Sequence, residues 1–270
     1  MIRTGELVTI YFGFVTFIFG LALGSFLNCM AMRIVRKEDW VKGKSHCMHC
    51  GHELGALDLI PVFSYIFTGG KCRYCKKKVS VRYPLTELIF GLLCLGLYIA
   101  FGHNIILLTS YIILTACLFA ASLVDLEIME IPDGCIIVGV ITFFASKVLE
   151  YLLTKDKTNV PGILENILSC VGVVAIMVAI ALLMGKVLKR DALGGGDVKL
   201  YGMLALYLGA AGSYELIFLS CIVGLIFAGI RKYFFPKKDR EFPFAPAIAI
   251  SGYILLIFSK TVTDWYFSLF

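Results

Sequence analysis

Apolar runs long enough to cross a lipid bilayer recur along this chain, and they leave it few folds to adopt. A helix needs about 20 predominantly apolar residues to span the hydrocarbon core. The run from Val8 to Met32 meets that length, and spans are expected at 8–34, 85–102, 105–124, 134–153, 163–187, 198–212, 214–233 and 244–268. In lipid every backbone N–H and C=O must be satisfied by protein, so only helices and closed barrels cross. A barrel would show short segments of alternating hydrophobicity, and these runs are continuous. With 59% hydrophobic and only 16% charged residues in 270, the expected fold is an all-α polytopic membrane protein of about eight transmembrane helices. The first run exceeds a signal-peptide core, and its basic residues Arg33, Arg36 and Lys37 follow it rather than precede it. It reads as an uncleaved first span.

Charge sets the sidedness. Eleven of the 25 basic residues, within a net charge of +6, fall between Arg33 and Arg82. Cytoplasmic loops of membrane proteins concentrate Lys and Arg, so this cluster marks a cytoplasmic segment and not a nucleic-acid-binding one. With 35–84 inside, the loops Asp125 to Asp133, Lys186 to Gly196 and Arg231 to Glu241 also fall inside. Those near His103, at Lys155 to Pro161 and at Gly209 to Ser213 fall outside. The inside loops hold Lys186, Lys189, Arg190, Arg231, Lys232, Lys237, Lys238 and Arg240, against Lys155 and Lys157 outside, with Arg3 and Lys260 at the ends. Three regions are expected: a first transmembrane helix at 1–34, a cytoplasmic domain at 35–84 and a transmembrane domain at 85–270.

Within the cytoplasmic segment, Cys47-Met48-His49-Cys50 and Cys72-Arg73-Tyr74-Cys75 are two CxxC turns separated by 21 residues. That is close to zinc-ribbon spacing. Each turn aims two thiolates at one point, and two turns complete a tetrahedron around zinc. Two disulfides are the alternative, but a cytoplasmic setting keeps thiols reduced. His46, His49 and His52 surround the first turn, and one of them replacing a cysteine is a further alternative. Four cysteines leave no open position, so the metal is expected to be structural in a zinc-ribbon-like domain too small to hold together on its core alone. Cys29, Cys94, Cys117, Cys135, Cys170 and Cys221 are scattered through spans and read as packing residues.

Two aspartates stand at the edges of apolar runs. Asp125 closes the run Tyr111 to Val124, and Asp197 follows Gly194-Gly195-Gly196 and opens the run Val198 to Ala211. An acid at membrane depth costs about 2.5–3.5 kcal/mol on the lenient insertion scale. Taken singly, Asp125 reads as a helix-end acid and Asp197 as an N-cap after a glycine turn. Together they suggest aspartyl protease chemistry. Two carboxylates at close range share one proton; the ionised one takes a proton from water and the protonated one polarises a peptide carbonyl. The glycines would let a substrate backbone approach Asp197. Glu127, Glu130, Asp133 and Asp191 compete for the role. Asp133, between Pro132 and Gly134, reads as a helix N-cap and Asp191 as solvated, and Asp125 has the most apolar flanks.

Taken together, these residues resemble the type IV prepilin peptidases, bifunctional leader peptidases and N-methyltransferases among the membrane-embedded GxGD aspartyl proteases. The likeness runs from Gly24-Ser25-Phe26-Leu27-Asn28 through the CxxC pairs, Ile60-Pro61 and Ser64, Gly70-Lys71-Cys72-Arg73, Arg82-Tyr83-Pro84 and Glu87. It continues to Asp125, Pro132-Asp133, Gly194-Gly195-Gly196-Asp197-Val198-Lys199-Leu200 and Pro243-Phe244-Ala245-Pro246. Met48 stands where family members often carry proline. The resemblance implies that Asp125 and Asp197 are catalytic and that Cys47, Cys50, Cys72 and Cys75 hold zinc. It implies a multi-pass enzyme of the bacterial plasma membrane with its active site facing the cytoplasm. Its substrates would be prepilins or pseudopilins, cleaved at the leader and then N-methylated from S-adenosylmethionine. Gly70 and Lys71 are candidate participants in methyl transfer. Glu87, Asn28 and Arg82 would position substrate or satisfy one another. An ion- or proton-coupled transporter with a regulatory zinc domain is the alternative that intramembrane acids also suit.

Overall fold

The computed structural model describes residues 4–154, 159–188, 193–234 and 242–267. Lys155, Lys157, Lys189, Arg190, Lys237, Lys238, Arg240 and Arg3, and the side chain of Lys260, on which part of the sidedness reading rests, lie outside the described residues, as does Asp191, the rival acid read as solvated. The regular elements are helices: α1 (Thr4–Val35), α2 (Phe63–Phe67), α3 (Arg82–Phe101), α4 (Ile105–Ile128), α5 (Asp133–Thr154), α6 (Asn159–Leu188), α7 (Gly195–Phe234) and α8 (Ala245–Phe267). No strand occurs among the described residues, as a helical membrane protein requires. Six of these helices, α1 and α3 to α7, are long and apolar enough to cross a membrane, and α8 adds a shorter apolar stretch over Ala245–Phe258.

The chain divides into two compact units, Met1–His103 and Asn104–Phe270. In the first, α1 packs along α3. Lipid tails are as apolar as leucine, so helices in a membrane associate by close packing, and small residues permit it. Gly20 and Gly24, four apart on α1, supply the close approach: a Cβ on Gly20 would lie 2.8 Å from that of Cys94, and one on Gly24 2.9 Å from that of Phe90. Asn28, Thr86 and Glu87 are buried in the same unit. Pro84 sits in the first turn of α3, where a missing N–H breaks no intrahelical bond.

In the second unit α5 and α8 each pack against both α4 and α7, and α6 covers α7. The core gathers Leu114 and Leu118 of α4, Tyr201, Met203 and Leu204 of α7, and Ile248 of α8. Asn104 caps α4, its Oδ1 accepting from the Leu107 N–H at 3.1 Å. The helix ends on Met129 in a left-handed conformation (φ 56°) whose N–H bonds the Asp125 carbonyl. This helix is longer than the run expected at 105–124, so Asp125 lies inside it, one turn before its end. Gly209, with φ 66° and ψ −168°, divides α7 into two helical segments. That region of backbone space is open essentially to glycine alone. The break expected as a loop at 209–213 is therefore a single residue, and the helix resumes immediately after it.

Candidate active site and metal centre

The cysteine cluster is built by two turns of matching geometry. The Cys47 N–H donates to the His52 carbonyl and the Gly51 N–H to the Cys47 carbonyl; in the second turn Cys72 N–H bonds Lys77 and Lys76 N–H bonds Cys72. The residue after the second cysteine of each pair takes a positive φ, 70° at Gly51 and 60° at Lys76. Isolated bridges His46–Glu53 and Lys71–Lys78 close the two turns. All four sulfurs lie within 4.8 Å of one another, and Cys47 Sγ stands 3.9 Å from Cys75 Sγ. A tetrahedron with Zn–S bonds near 2.3 Å has edges of about 3.8 Å, whereas a disulfide needs about 2.05 Å. All ten cysteines are free.

The donor set asks for a cation. Backbone N–H groups of His49 and Cys50 aimed at Cys47 lower its thiol to about 6 against the opposing effect of burial. Cys75 instead rises to about 11, because the Lys77 N–H is outweighed by burial and by the three neighbouring thiols. Four sulfurs this close resist ionising together until a positive ion joins them. The histidines stay out of the cluster: His52 lies against the Tyr74 ring, centroids 3.6 Å apart.

Next to this cluster, still within the first unit, is a cleft of about 680 Å³. Its walls come from α1 (Ser25, Cys29), the cysteine turns (His46, Lys71) and the start of α3 (Tyr83, Glu87). Lys71 lines it and Gly70 does not. Gly70 has φ 68°, and a Cβ there would fall 2.8 Å from the Tyr65 hydroxyl oxygen, so its place is to turn the chain over Tyr65. Sequence reasoning paired the two residues; the structure gives them different positions.

In the second unit Asp125 and Asp197 approach closely enough for their charges to interact. Asp125 is 5% exposed, and its Oδ2 accepts the Ala245 N–H at 2.9 Å. That N–H is one of the unpaired donors that every helix start leaves, here at the head of α8, and a side chain 120 positions earlier satisfies it. Ala120, Ala121 and Val124 on α4 are also buried, so the carboxylate stands amid tightly packed apolar residues. Sequence reasoning noted Ala245 only within the Pro243–Pro246 motif and gave its N–H no role. The signal available was the helix start between Pro243 and Pro246, which needs an acceptor from elsewhere.

Asp197 opens α7, its N–H bonded to the Gly194 carbonyl at 3.1 Å. The three glycines before it differ in their surroundings. A Cβ on Gly194 would lie 3.1 Å from Asp197 Oδ2 and one on Gly196 3.0 Å from the Ile131 Cβ, while Gly195 faces open space. Asp133 stands apart from the pair: it is the first residue of α5 and bonds Lys199 Nζ at 2.6 Å, well exposed. This pair ties α5 to α7 two residues beyond Asp197. Gly195→Ala is therefore expected to leave the fold intact, within about 0.5 kcal/mol by thermal unfolding, and to lower turnover only where the space above it must admit a substrate backbone. Gly196→Val is expected to displace Ile131 and lower both stability and turnover. Equal thermal shifts for the two would contradict this division.

Residues 18–101 match the bacterial peptidase A24 N-terminal domain, and residues 112–229 match the type IV leader peptidase family. Curated relatives include a prepilin leader peptidase/N-methyltransferase of Aeromonas hydrophila, 29% identical over 97% of this chain and 95% of the relative. Another of the same description, from Bacillus subtilis (strain 168), is 27% identical over 93% of this chain and 96% of its own length. A type 4 prepilin-like proteins leader peptide-processing enzyme of Escherichia coli O78:H11 is 31% identical over 86% of this chain and 89% of that protein. No solved structure matches.

Proposed function

This chain belongs to the type IV leader peptidase family, and from that premise we propose that Asp125 and Asp197 cleave the leader of prepilins or pseudopilins and that the same chain then N-methylates the new N-terminus. The observation that carries the proteolytic reading is that Asp125, buried on α4, and the half-buried Asp197 at the head of α7 lie within range of each other's charge. An isolated acid there is costly. A pair sharing one proton is the apparatus of aspartyl proteolysis. Asp125 commits one oxygen to the Ala245 N–H, which fixes its orientation and leaves the other for the shared proton. In the reaction the ionised carboxylate takes a proton from water as the oxygen attacks the scissile carbonyl. The protonated carboxyl gives its proton to the carbonyl oxygen. Collapse of the tetrahedral species breaks the C–N bond, and the leaving amine takes up a proton. Open space at Gly195 suits an extended substrate backbone.

The four cysteines fit zinc, held as a closed structural site that joins the two turns. S-adenosylmethionine supplies the methyl group when bound. Lys71, on the wall of the first unit's cleft, suits the carboxylate of that donor, and Gly70 keeps the turn that presents it. The two regions 35–84 and 85–270 are read as the zinc-binding and peptidase domains, with eight spans if each half of α7 crosses and α8 spans as well. The charge of the basic loops supports a dyad at the cytoplasmic face of a bacterial plasma membrane.

Purified full-length protein in lipid nanodiscs, given a prepilin and S-adenosylmethionine, is expected to yield a product shortened by its leader and heavier by one methyl group at the new amine. Mass spectrometry of the N-terminal peptide checks both changes. An intact prepilin after exhaustive incubation with several prepilins and pseudopilins would overturn the reading.

A further inference from the structure

We propose that Glu87 is the acid of the methyl-transfer reaction: it binds the substrate's new N-terminal ammonium in the first unit's cleft and accepts its proton. The inference rests on the methyltransferase reading above. Glu87 is 7% exposed yet lines the cleft. Its Oε2 accepts the Val62 N–H at 2.7 Å, and Ser25 lines the same cleft beside it. A carboxylate has about four acceptor positions, so these neighbours leave capacity toward the cavity. Val62 is held at φ 62°, a conformation that is a true outlier for a β-branched residue. The backbone is thus bent to bring its N–H onto Glu87, which locks the carboxylate in place. Fixed geometry of this kind is what a reacting group requires.

The remaining charges of the cleft are occupied or of the wrong kind. Arg33 donates to the carbonyls of Lys42, Gly43 and Lys44. Asp58 pairs with Arg73 at 2.9 Å and accepts from the Tyr74 hydroxyl. Glu38 is exposed, and Arg36, Lys71 and Lys78 are cations. Glu87 is therefore the buried acid facing the cavity, and its natural ligand is a cation. A peptide α-amine has a pKa near 7.7–8.0, so at neutral pH much of it arrives as ammonium and must lose a proton before it can attack. Paired with Glu87, the ammonium passes its proton to the carboxylate. The freed lone pair then bonds the methyl carbon. The methyl–sulfur bond breaks with its electron pair left on sulfur, the positive charge of the sulfonium is cancelled, and Glu87 releases its proton to solvent. Leu54, Leu59 and Val79 on the same walls suit an apolar first side chain.

The test uses the full chain in nanodiscs and a peptide that begins at the mature N-terminus, so methylation is read without cleavage. Donor binding is measured separately by equilibrium dialysis of S-adenosylmethionine. Glu87→Gln keeps an oxygen for the Val62 N–H. It is expected to bind the donor within about twofold of wild type and to methylate about 10²-fold more slowly, the lower end for a lost general base. Its residual rate should climb with pH as the amine deprotonates by itself, and Glu87→Asp should recover at least about tenfold of the loss. Wild-type methylation by Glu87→Gln, or loss of donor binding in step with methylation in both variants, would overturn the role. Failure of the wild-type protein to methylate the peptide would instead overturn the methyltransferase reading on which it rests.

Discussion

Asp125→Asn and Asp197→Asn each stop leader removal, with a fall of about 10³-fold or more in the rate of prepilin cleavage, and neither unfolds the protein. The magnitude follows from what each substitution removes. General acid or base catalysis contributes about 10²–10⁴-fold, and in the proposed dyad one shared proton serves both steps, so neither partner would work alone. The choice of Asn matters at Asp125. Its Oδ2 accepts the Ala245 N–H, and an amide oxygen can continue to do so. Asp125→Ala would instead strand that donor in a buried site, where an unsatisfied group costs about 1–3 kcal/mol, and would mix a loss of chemistry with a loss of α8. At Asp197 the neighbouring glycines leave room for an isosteric amide. Prepilin cleavage followed by mass, alongside thermal unfolding in the same detergent, separates the two effects. Normal processing by either variant would remove it from the dyad.

The same pair of variants addresses the transporter reading. An acid that carries a proton or cation across a membrane also loses its function on amidation, so loss of activity alone is not decisive. The two readings part over the glycines. Ion binding gives Gly195 no task, whereas proteolysis needs the open space beside it. Cleavage lost in Gly195→Val with the fold retained belongs to the proteolytic reading alone.

Much of this architecture is legible from residues because lipid imposes a single rule on backbone polar groups. The helices α1 and α3 to α8 fall within a few residues of the apolar runs. What the runs conceal is where a helix continues past its apolar part. Leu126, Glu127 and Ile128 prolong α4 beyond Asp125, because a helix keeps its hydrogen bonds in water as well as in lipid. Gly209 shows the converse. Its positive φ bends α7 at one residue, and a sequence pattern blurs that into a loop. The pairing of Asp125 with Asp197 was inferred from flanking residues and from resemblance, but their proximity depends on α5 and α8 packing against both parent helices. No local signal encodes that packing. The Ala245 contact and the Val62–Glu87 bond are likewise long-range. Each joins a backbone donor that lacks a local partner to an acid the sequence already singles out, Asp125 for its cost at membrane depth and Glu87 as a polar group at a span edge.

Metal removal is expected to have the other large effect, and the reason lies in how little else holds residues 41–80 together. Within that stretch the only buried residues are Cys47 and Cys72. Leu57, Ile60, Phe63, Ile66 and Phe67 are all exposed. A segment without an apolar core cannot offset the conformational entropy of ordering it, about 1–2 kcal/mol per residue for the backbone alone. Of the polar links, Lys44–Glu53 is exposed and of the kind worth at most about 1 kcal/mol, and Arg73–Asp58, with only Asp58 largely covered, is a single half-exposed pair. Structural zinc contributes apparent binding energies of about 10–16 kcal/mol in small zinc modules, enough to decide whether such a segment folds. Purified protein is expected to carry one zinc per chain, lost in Cys47→Ser combined with Cys50→Ser or on treatment with a strong chelator. Trypsin should then cut rapidly at Lys71, Arg73 and Lys76 to Lys78. The helices α4 to α8, which pack among themselves in the second unit, should keep their protection. Methylation should fall with the turns, because Lys71 and the wall of the Glu87 cleft are built on them. A metal-free protein that resists trypsin at those sites would show that the four sulfurs are not the core of this segment.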